Sequence, residues 1–502
     1  MDTVLPNFLK QRAFLTPERP AVLFCNQVYT FQDVFKKALE FAEKVASYSI
    51  APGDAVALLV KNKPETVFLI YALQQLGAAA VMLNTRLTAA EISWQLADSE
   101  SKLLIYDEEF ADLADGVQNQ NERMQKASIQ ELKGRKPRRT SIQEEWNMDD
   151  VCSIMYTSGT TGNPKGVLQS YGNHFWSAAG SALNLGLRED DLWICAVPLF
   201  HISGYSILMR SIIYGMTIRL YERFDEEDIN NKLINGEGTI ISVVAVMLQR
   251  LLNNLEGRSY SSRFRCMLLG GGPAPKPILE QCAQKGIPVF QTYGMTETSS
   301  QIVTLPPEYS LSKLGSAGKP LFPSQIRIME DGKVLPPLKA GEIVVKGPNV
   351  TKGYLKREET NRERFRDGWL FTGDIGYLDE EGFLYVLDRR SDLIISGGEN
   401  VYPAEIESVL TGHPDVVEAG VIGVHDERWG QVPVAFLVAK REIPEEELSD
   451  YCQTRLAKYK IPKRFFTIPA LPRNASNKLL RRELKQLYQE MEYNHNNSSA
   501  HE

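Results

Sequence analysis

Strand-length apolar runs alternate with helix-patterned stretches through most of the first 390 residues, and this alternation constrains the fold more than any other feature. AVALLV (55–60), AAVML (79–83), LLIY (103–106), IISVV (240–244) and CMLL (266–269) each read as a buried strand, rich in Val, Ile and Leu and bounded by Gly, Pro or polar residues. Amphipathic stretches lie between them. After Thr30, residues Phe31, Val34, Phe35, Ala38, Leu39, Ala42 and Val45 recur at helical spacing, with Thr30 as N-cap and Asp33 three residues on. The alternation predicts an α/β fold, with a large N-terminal domain of layered helices and mainly parallel sheets over residues 1–387.

The texture changes near residue 388, where the polar string DRRSD separates two apolar stretches and the Gly-rich ISGGENVYP follows. A hinge is predicted at 388–392. Beyond it AGVIGV (419–424) and PVAFLVA (433–439) read as strands, and a helix pattern runs from Glu445 to Leu456. Residues 393–488 thus form a small α+β C-terminal domain of about a hundred residues, large enough to fold alone. The tail 489–502 ends in NHNNSSAHE, has no apolar content there, and is predicted to be disordered.

Charge and cysteine usage exclude several classes. With 56 Lys+Arg against 63 Asp+Glu the net charge is −7, whereas phosphate-backbone affinity rests on a clustered basic excess, so no nucleic-acid partner is expected. The one basic run, Lys133 to Arg139, is broken by Gly134 and Pro137 and reads as a solvated loop. No stretch approaches the ~18–20 apolar residues of a membrane span, and the start lacks the basic-then-apolar order of a secretory signal. The six cysteines form no CxxC pair and fit buried free thiols in a reducing cytoplasm. Oligomeric state is left open, a homo-oligomer included.

Several segments carry chemistry. Tyr156-Thr-Ser-Gly-Thr-Thr-Gly-Asn-Pro-Lys-Gly166 follows the strand-like VCSIM and offers backbone N–H groups, hydroxyls and an ammonium to phosphate oxygens. It is not a Walker A loop, because Pro164 precedes Lys165 and Gly166 follows it. A Ser/Gly-rich surface turn has the same composition; the lysine and the strand upstream favour the phosphate site. Leu268-Leu-Gly-Gly-Gly-Pro-Ala-Pro275 leaves a strand with glycines that let a ligand approach the backbone, although a tight turn explains it as well. In Val289-Phe-Gln-Thr-Tyr-Gly-Met-Thr-Glu-Thr298, Tyr293 offers a planar face to a purine, Thr296 a hydroxyl to phosphate and Glu297 a carboxylate to Mg²⁺. Asp374, in Trp369-Leu-Phe-Thr-Gly-Asp-Ile-Gly376, suits ribose hydroxyls, with Arg389 as a second ligand for the sugar or a phosphate. Lys478 follows the polar turn Pro472-Arg-Asn-Ala-Ser-Asn477.

YTSGTTGNPKG, YGMTE, TGD followed by DRRSD, GGENVYP and NASNK stand in the order found in the acyl-adenylate-forming superfamily of acyl-CoA synthetases, luciferases and peptide-synthetase adenylation domains, which the chain resembles over almost its whole length. More narrowly, PLFHISG, LGGGPAP, YGMTETSSQIVTL, LDRRSDLIISGGEN and LAKYKIP resemble the branch that ligates o-succinylbenzoate, an aromatic dicarboxylic acid, to CoA in menaquinone biosynthesis. A CoA ligase for another aryl or fatty acid carries the same nucleotide motifs and is the alternative.

The resemblance implies an enzyme using ATP, Mg²⁺ and CoA. Thr157, Ser158, Thr160, Thr161 and Lys165 would hold the β- and γ-phosphates; Gly270, Gly271, Gly272 and Tyr293 would bracket adenine. Thr296 would touch the α-phosphate, Glu297 would ligate Mg²⁺, and Asp374 and Arg389 would bind the ribose. Lys478 would bridge carboxylate and α-phosphate, then give way to Gly397-Gly398-Glu399 beside a tunnel for the pantetheine arm. His201 resembles an aromatic gate of the acid pocket, with Ser203, Ser299 and Gln301 as its candidate polar contacts. Two positions depart from the pattern: Ser391 where many members carry Asp or Lys at the pivot, and Asn163 in the phosphate loop.

Overall fold

The computed structural model describes residues 3–118, 124–157, 163–271, 276–388, 394–401, 403–472, 479 and 481–498. It divides into two compact units. The larger comprises residues 1–85, 93–157 and 165–387, and the smaller 86–92, 158–164 and 388–502, so two short segments of the expected N-terminal domain group with the smaller unit.

One sheet of the larger unit runs from Lys165–Ser170 through Val151–Thr157, Ala79–Met82, Ala55–Leu59 and Leu103–Tyr106 to Gln125–Ser128. Its pairs are parallel except the first, in which Lys165 lies opposite Thr157 across the predicted phosphate loop. A second sheet passes from Pro20–Phe24 through Thr217–Leu220, Leu192–Cys195, Ile240–Val243 and Cys266–Leu269 to Val289–Met295, parallel throughout. From there it continues differently. Ser300–Leu305, Ser316–Pro320, Leu384–Asp388, Trp369–Leu378, Gly341–Lys346 and Gln325–Glu330 extend the sheet, and their paired registers are antiparallel. The expectation of mainly parallel sheets is therefore corrected for residues 289–388: their connections are short, and a short connection returns the chain antiparallel.

Local signals explain the helices. Thr30 caps the helix Phe31–Ala46 by a reciprocal pair, its hydroxyl taking the Asp33 N–H at 3.1 Å and its own N–H reaching the Asp33 carboxylate at 3.0 Å. Those bonds hold the Asp33 carboxyl below its ordinary range, and such a cap contributes about 1 kcal/mol. The helix buries Phe31, Val34, Ala38, Phe41, Ala42 and Val45 in the main core; Phe35 and Leu39 are half-buried.

The smaller unit pairs Ile394–Ser396, Glu399–Val401, Val416–Asp426, Gly430–Ala439 and Phe465–Thr467. Alternation along its strands feeds two cores: Val421, Ala435 and Leu437 meet Ile406 and Leu410 of the helix Pro403–Thr411, while Ile422, Val434 and Phe436 meet Leu484 of the helix Arg481–Ser498. That last helix corrects the expected tail. Anchored by Leu484, Leu487, Tyr488 and Met491, it propagates to Ser498, where disorder was predicted from 489. Among the cysteines, Cys25 is exposed, against the expectation of burial, and the other five are buried free thiols. Among the described residues, no helix is long and apolar enough to cross a membrane.

Candidate active site

Of the predicted site residues, Ser158, Thr160, Thr161, Gly272, Arg389 and Lys478 lie outside the described residues, as does Ser391. The others distribute over both units.

The larger unit gathers most of them at the ends of neighbouring strands, where ligands of open α/β sheets bind. Gly270 follows Cys266–Leu269, and Tyr293 lies two residues before the end of the adjoining strand Val289–Met295. The Tyr293 hydroxyl donates to Asp374 Oδ2 at 2.7 Å, so the predicted adenine and ribose ligands are joined directly. Both side chains are buried, Asp374 being 7% exposed. The chain then reverses through a 3₁₀ turn, Thr296–Thr298, with Ser299 in the left-handed region at φ 52°. Gly294 is required for that reversal, because a Cβ there would stand 2.2 Å from Ser300 O. Asn349 Nδ2 on Thr298 O at 3.0 Å and Ser177 Oγ on Ser299 O at 2.6 Å clamp the turn.

Glu297 projects from it and accepts the Tyr354 hydroxyl at 2.9 Å. Burial pushes its carboxyl above the ordinary range, and the negative charge of Asp374 adds to that. Lys165, on the strand facing Thr157, holds its ammonium 5.6 Å from the Tyr354 ring centroid.

Behind the turn lies a polar cluster in which Ser299, Gln301 and Arg210 are buried, His201 is half-buried and Ser203 is exposed. His201 precedes the helix Ile202–Tyr214, and Ser203 O accepts the Ser206 hydroxyl. Ser299 Oγ and both amide atoms of Gln301 are buried without a hydrogen-bond partner. The sequence reading missed the neighbour that matters most, Arg210. It is 1% exposed, one of its terminal nitrogens donates to Ser300 Oγ at 3.2 Å, and its Nε has no partner. Its guanidinium lies 5.1 Å from the Trp193 ring centroid, and among the described residues no carboxylate pairs with it. Burial pulls it below its ordinary pKa. A lone cation inside the apolar helix ISGYSILMRSIIY was the signal available in the sequence.

A chain of hydrogen bonds reaches the turn from the other side. Gln169 Nε2 donates to Thr296 O at 2.9 Å, Ser153 Oγ donates to Gln169 Oε1 at 2.8 Å, and His174 Nε2 lies 2.8 Å from Ser153 Oγ. Because the Ser153 proton is committed to Gln169, His174 must donate from Nε2, which leaves its buried Nδ1 unprotonated. Burial and Arg210 push the His174 pKa down to about 3. An unfolded histidine protonates near pH ~6.5. Stability contributed by neutral His174 is therefore full above that value and falls on acidification towards pH 3, by up to about 1.4 kcal/mol per pH unit. Denaturant unfolding at stepped pH is expected to show this slope, and His174→Asn to flatten it.

In the smaller unit Gly397 and Gly398 form the two-residue turn between Ile394–Ser396 and Glu399–Val401, at φ 58° and 83°. Two successive positive φ values suit glycine in such a hairpin. Gly397 N donates to Trp429 O at 2.8 Å, and a Cβ on Gly397 would come within 2.7 Å of the Trp429 ring.

A family model described as AMP-binding enzyme matches residues 9–355, and one described as AMP-binding enzyme C-terminal domain matches residues 405–478. The chain is 58% identical over 487 residues, 97% of its length and 98% of the relative's, to a 2-succinylbenzoate–CoA ligase of Geobacillus kaustophilus. Among solved structures it resembles o-succinylbenzoate CoA synthetase of Bacillus subtilis, 53% identical with 96% and 98% of the two chains covered. The TM-score is 0.92 against a double mutant bound to the product analogue OSB-NCoA. It is 0.76 against the same enzyme with the acyl-adenylate intermediate OSB-AMP. A complex of that enzyme with ATP and magnesium ion also scores 0.76.

Proposed function

Because the chain belongs to the AMP-binding enzyme family, we propose that it joins o-succinylbenzoate to CoA through an acyl-adenylate, releasing first pyrophosphate and then AMP. The observation that carries this choice of acid is the buried guanidinium of Arg210, which pairs with no carboxylate among the described residues. A desolvated, unpaired cation is costly, and a substrate whose second carboxylate remains unreacted supplies the missing partner. Ser299, Ser300 and Gln301 surround that carboxylate and the adjacent keto group with donors and acceptors that have spare capacity.

A carboxylate is a poor electrophile, and its attack on the α-phosphorus of ATP brings two anions together. The catalytic work is positioning and charge compensation. In our reading Thr157 and Lys165 hold phosphate oxygens, Gly270 and Gly271 leave room for adenine beside Tyr293, and Asp374, held by Tyr293, accepts from the ribose. Thr296 presents its hydroxyl to the α-phosphate. The oxygen donors at Glu297 and Thr296, with the raised carboxyl of Glu297 near Asp374, fit a hard dication that would relieve the local excess of negative charge. Bound there, Mg²⁺ supplies charge neutralisation to the phosphates. His201 borders the acid site, while Lys478 serves adenylation and the turn at Gly397 and Gly398 serves the entry of CoA. The reaction is placed in the cytoplasm, where ATP and CoA are available.

The test is pyrophosphate release and thioester formation with ATP, magnesium and CoA over o-succinylbenzoate, benzoate and medium-chain fatty acids. o-Succinylbenzoate is expected to give the highest kcat/KM. A strong preference for a fatty acid would overturn the assignment of the acid and leave the adenylate chemistry standing.

A further inference from the structure

Tyr354 belongs to none of the segments to which the sequence analysis gave a chemical role, yet it touches two of them. Its hydroxyl donates to Glu297 Oε1 at 2.9 Å, and its ring centroid lies 5.6 Å from Lys165 Nζ. The residue is 8% exposed. Its backbone is fixed from two directions. Leu355 N donates to Gly166 O at 2.8 Å and Tyr354 bridges to Val167, which ties the segment to the strand carrying Lys165. Asn361 grips the other side, its Oδ1 taking the Tyr354 N–H at 2.8 Å and its Nδ2 donating to Tyr354 O at 2.9 Å. Nearby, Thr351 N donates to Glu297 O at 2.8 Å, so the same segment also holds the backbone of the turn that carries Glu297.

We propose that Tyr354 is a positioning residue for adenylation, its hydroxyl orienting the Glu297 carboxylate towards the metal and its ring holding the Lys165 ammonium beside the same nucleotide. The proposal rests on the reading of Glu297 as metal ligand and Lys165 as phosphate ligand. A half-buried carboxylate with one oxygen engaged by a phenol has lost rotational freedom, and the oxygen left over keeps one direction. The ring attracts the lysine through its face, a contact that phenylalanine retains and leucine does not. The two functions of one side chain are therefore separable by substitution.

The experiment uses Tyr354→Phe, Tyr354→Leu and Glu297→Gln in the full chain. Mn²⁺ affinity is measured by electron paramagnetic resonance in the presence of a non-hydrolysable ATP analogue, alongside adenylation kinetics, thioester formation from supplied acyl-adenylate, and thermal melting. Tyr354→Phe is expected to weaken Mn²⁺ binding about tenfold, equivalent to about 1.4 kcal/mol. It leaves the ATP KM at saturating metal and the rate from supplied acyl-adenylate unchanged. Tyr354→Leu shows the same metal defect and in addition a raised ATP KM. If Tyr354→Phe binds Mn²⁺ as the parent does while Glu297→Gln does not, the proposal fails and the reading of Glu297 survives. If Glu297→Gln itself leaves Mn²⁺ affinity intact, that reading fails and the proposal falls with it. Equal loss in both half-reactions with a lowered melting temperature would make Tyr354 structural only.

Discussion

Arg210→Met is expected to lower kcat/KM for o-succinylbenzoate by about two to three orders of magnitude, because truncating one partner of a buried charged hydrogen-bonded pair costs about 2–5 kcal/mol. Benzoate has no second carboxylate and is expected to keep its rate, so the variant shifts specificity and does not simply weaken the enzyme. Stability separates this from a structural role. In the absence of substrate Arg210 has Ser300 and neutral polar neighbours such as Tyr214, whose phenol burial holds up to about 12. Replacing an uncompensated buried charge by an apolar side chain of similar length is neutral or stabilising. Melting temperature should therefore hold or rise while activity on the dicarboxylic acid collapses. Steady-state kinetics on both acids, with melts of the same preparations, check this; a lowered melting temperature with equal losses on both acids would contradict it.

The fold and the site were legible where a local pattern carries the information. Periodicity located the strands Ala55–Leu59, Leu103–Tyr106 and Cys266–Leu269, and the Thr30 and Asp33 pair marked a helix start that the structure caps as expected. The antiparallel half of the second sheet was not legible. Its first reversal uses a 3₁₀ turn and a left-handed Ser299 instead of an Asn-Gly or Asp-Gly pair, so Gly294 is the lone glycine between Tyr293 and Gln301 and no hairpin dipeptide marks the reversal. Arg210 was hidden for a related reason. Its chemistry comes from what is missing around it, and a missing carboxylate is a property of packing between the helix Ile202–Tyr214 and the turn at Ser300, distant in sequence. Tyr354 likewise acquires a role only through a bridge to Val167 that joins two remote segments. Motifs name ligands of the nucleotide; they leave out the side chains that aim them.

Lys478→Ala is expected to slow acyl-adenylate formation by about two to three orders of magnitude, the scale on which loss of one preorganised electrostatic group acts. The described site explains why one more cation is needed. Glu297 and Asp374 stand close enough for the second to raise the pKa of the first, and this negative neighbourhood must receive a carboxylate and a triphosphate. In the proposed reading Mg²⁺ and Lys165 act at the phosphates; the approach of the acid to the α-phosphorus requires positive charge at that point, and the resemblance assigns it to Lys478. A lysine with a reference pKa of about 10.4 is cationic at neutral pH, so its contribution is charge and it transfers no proton. The thioester step differs. The carbonyl is then already activated, AMP leaves as a stable anion, and no carboxylate anion has to approach an anionic phosphate. The variant should therefore convert supplied o-succinylbenzoyl-adenylate and CoA to thioester at close to the parental rate. Rapid-quench measurement of the two half-reactions on one preparation decides it: adenylation crippled with thioesterification spared is the expected pattern, and equal loss in both would remove Lys478 from the role.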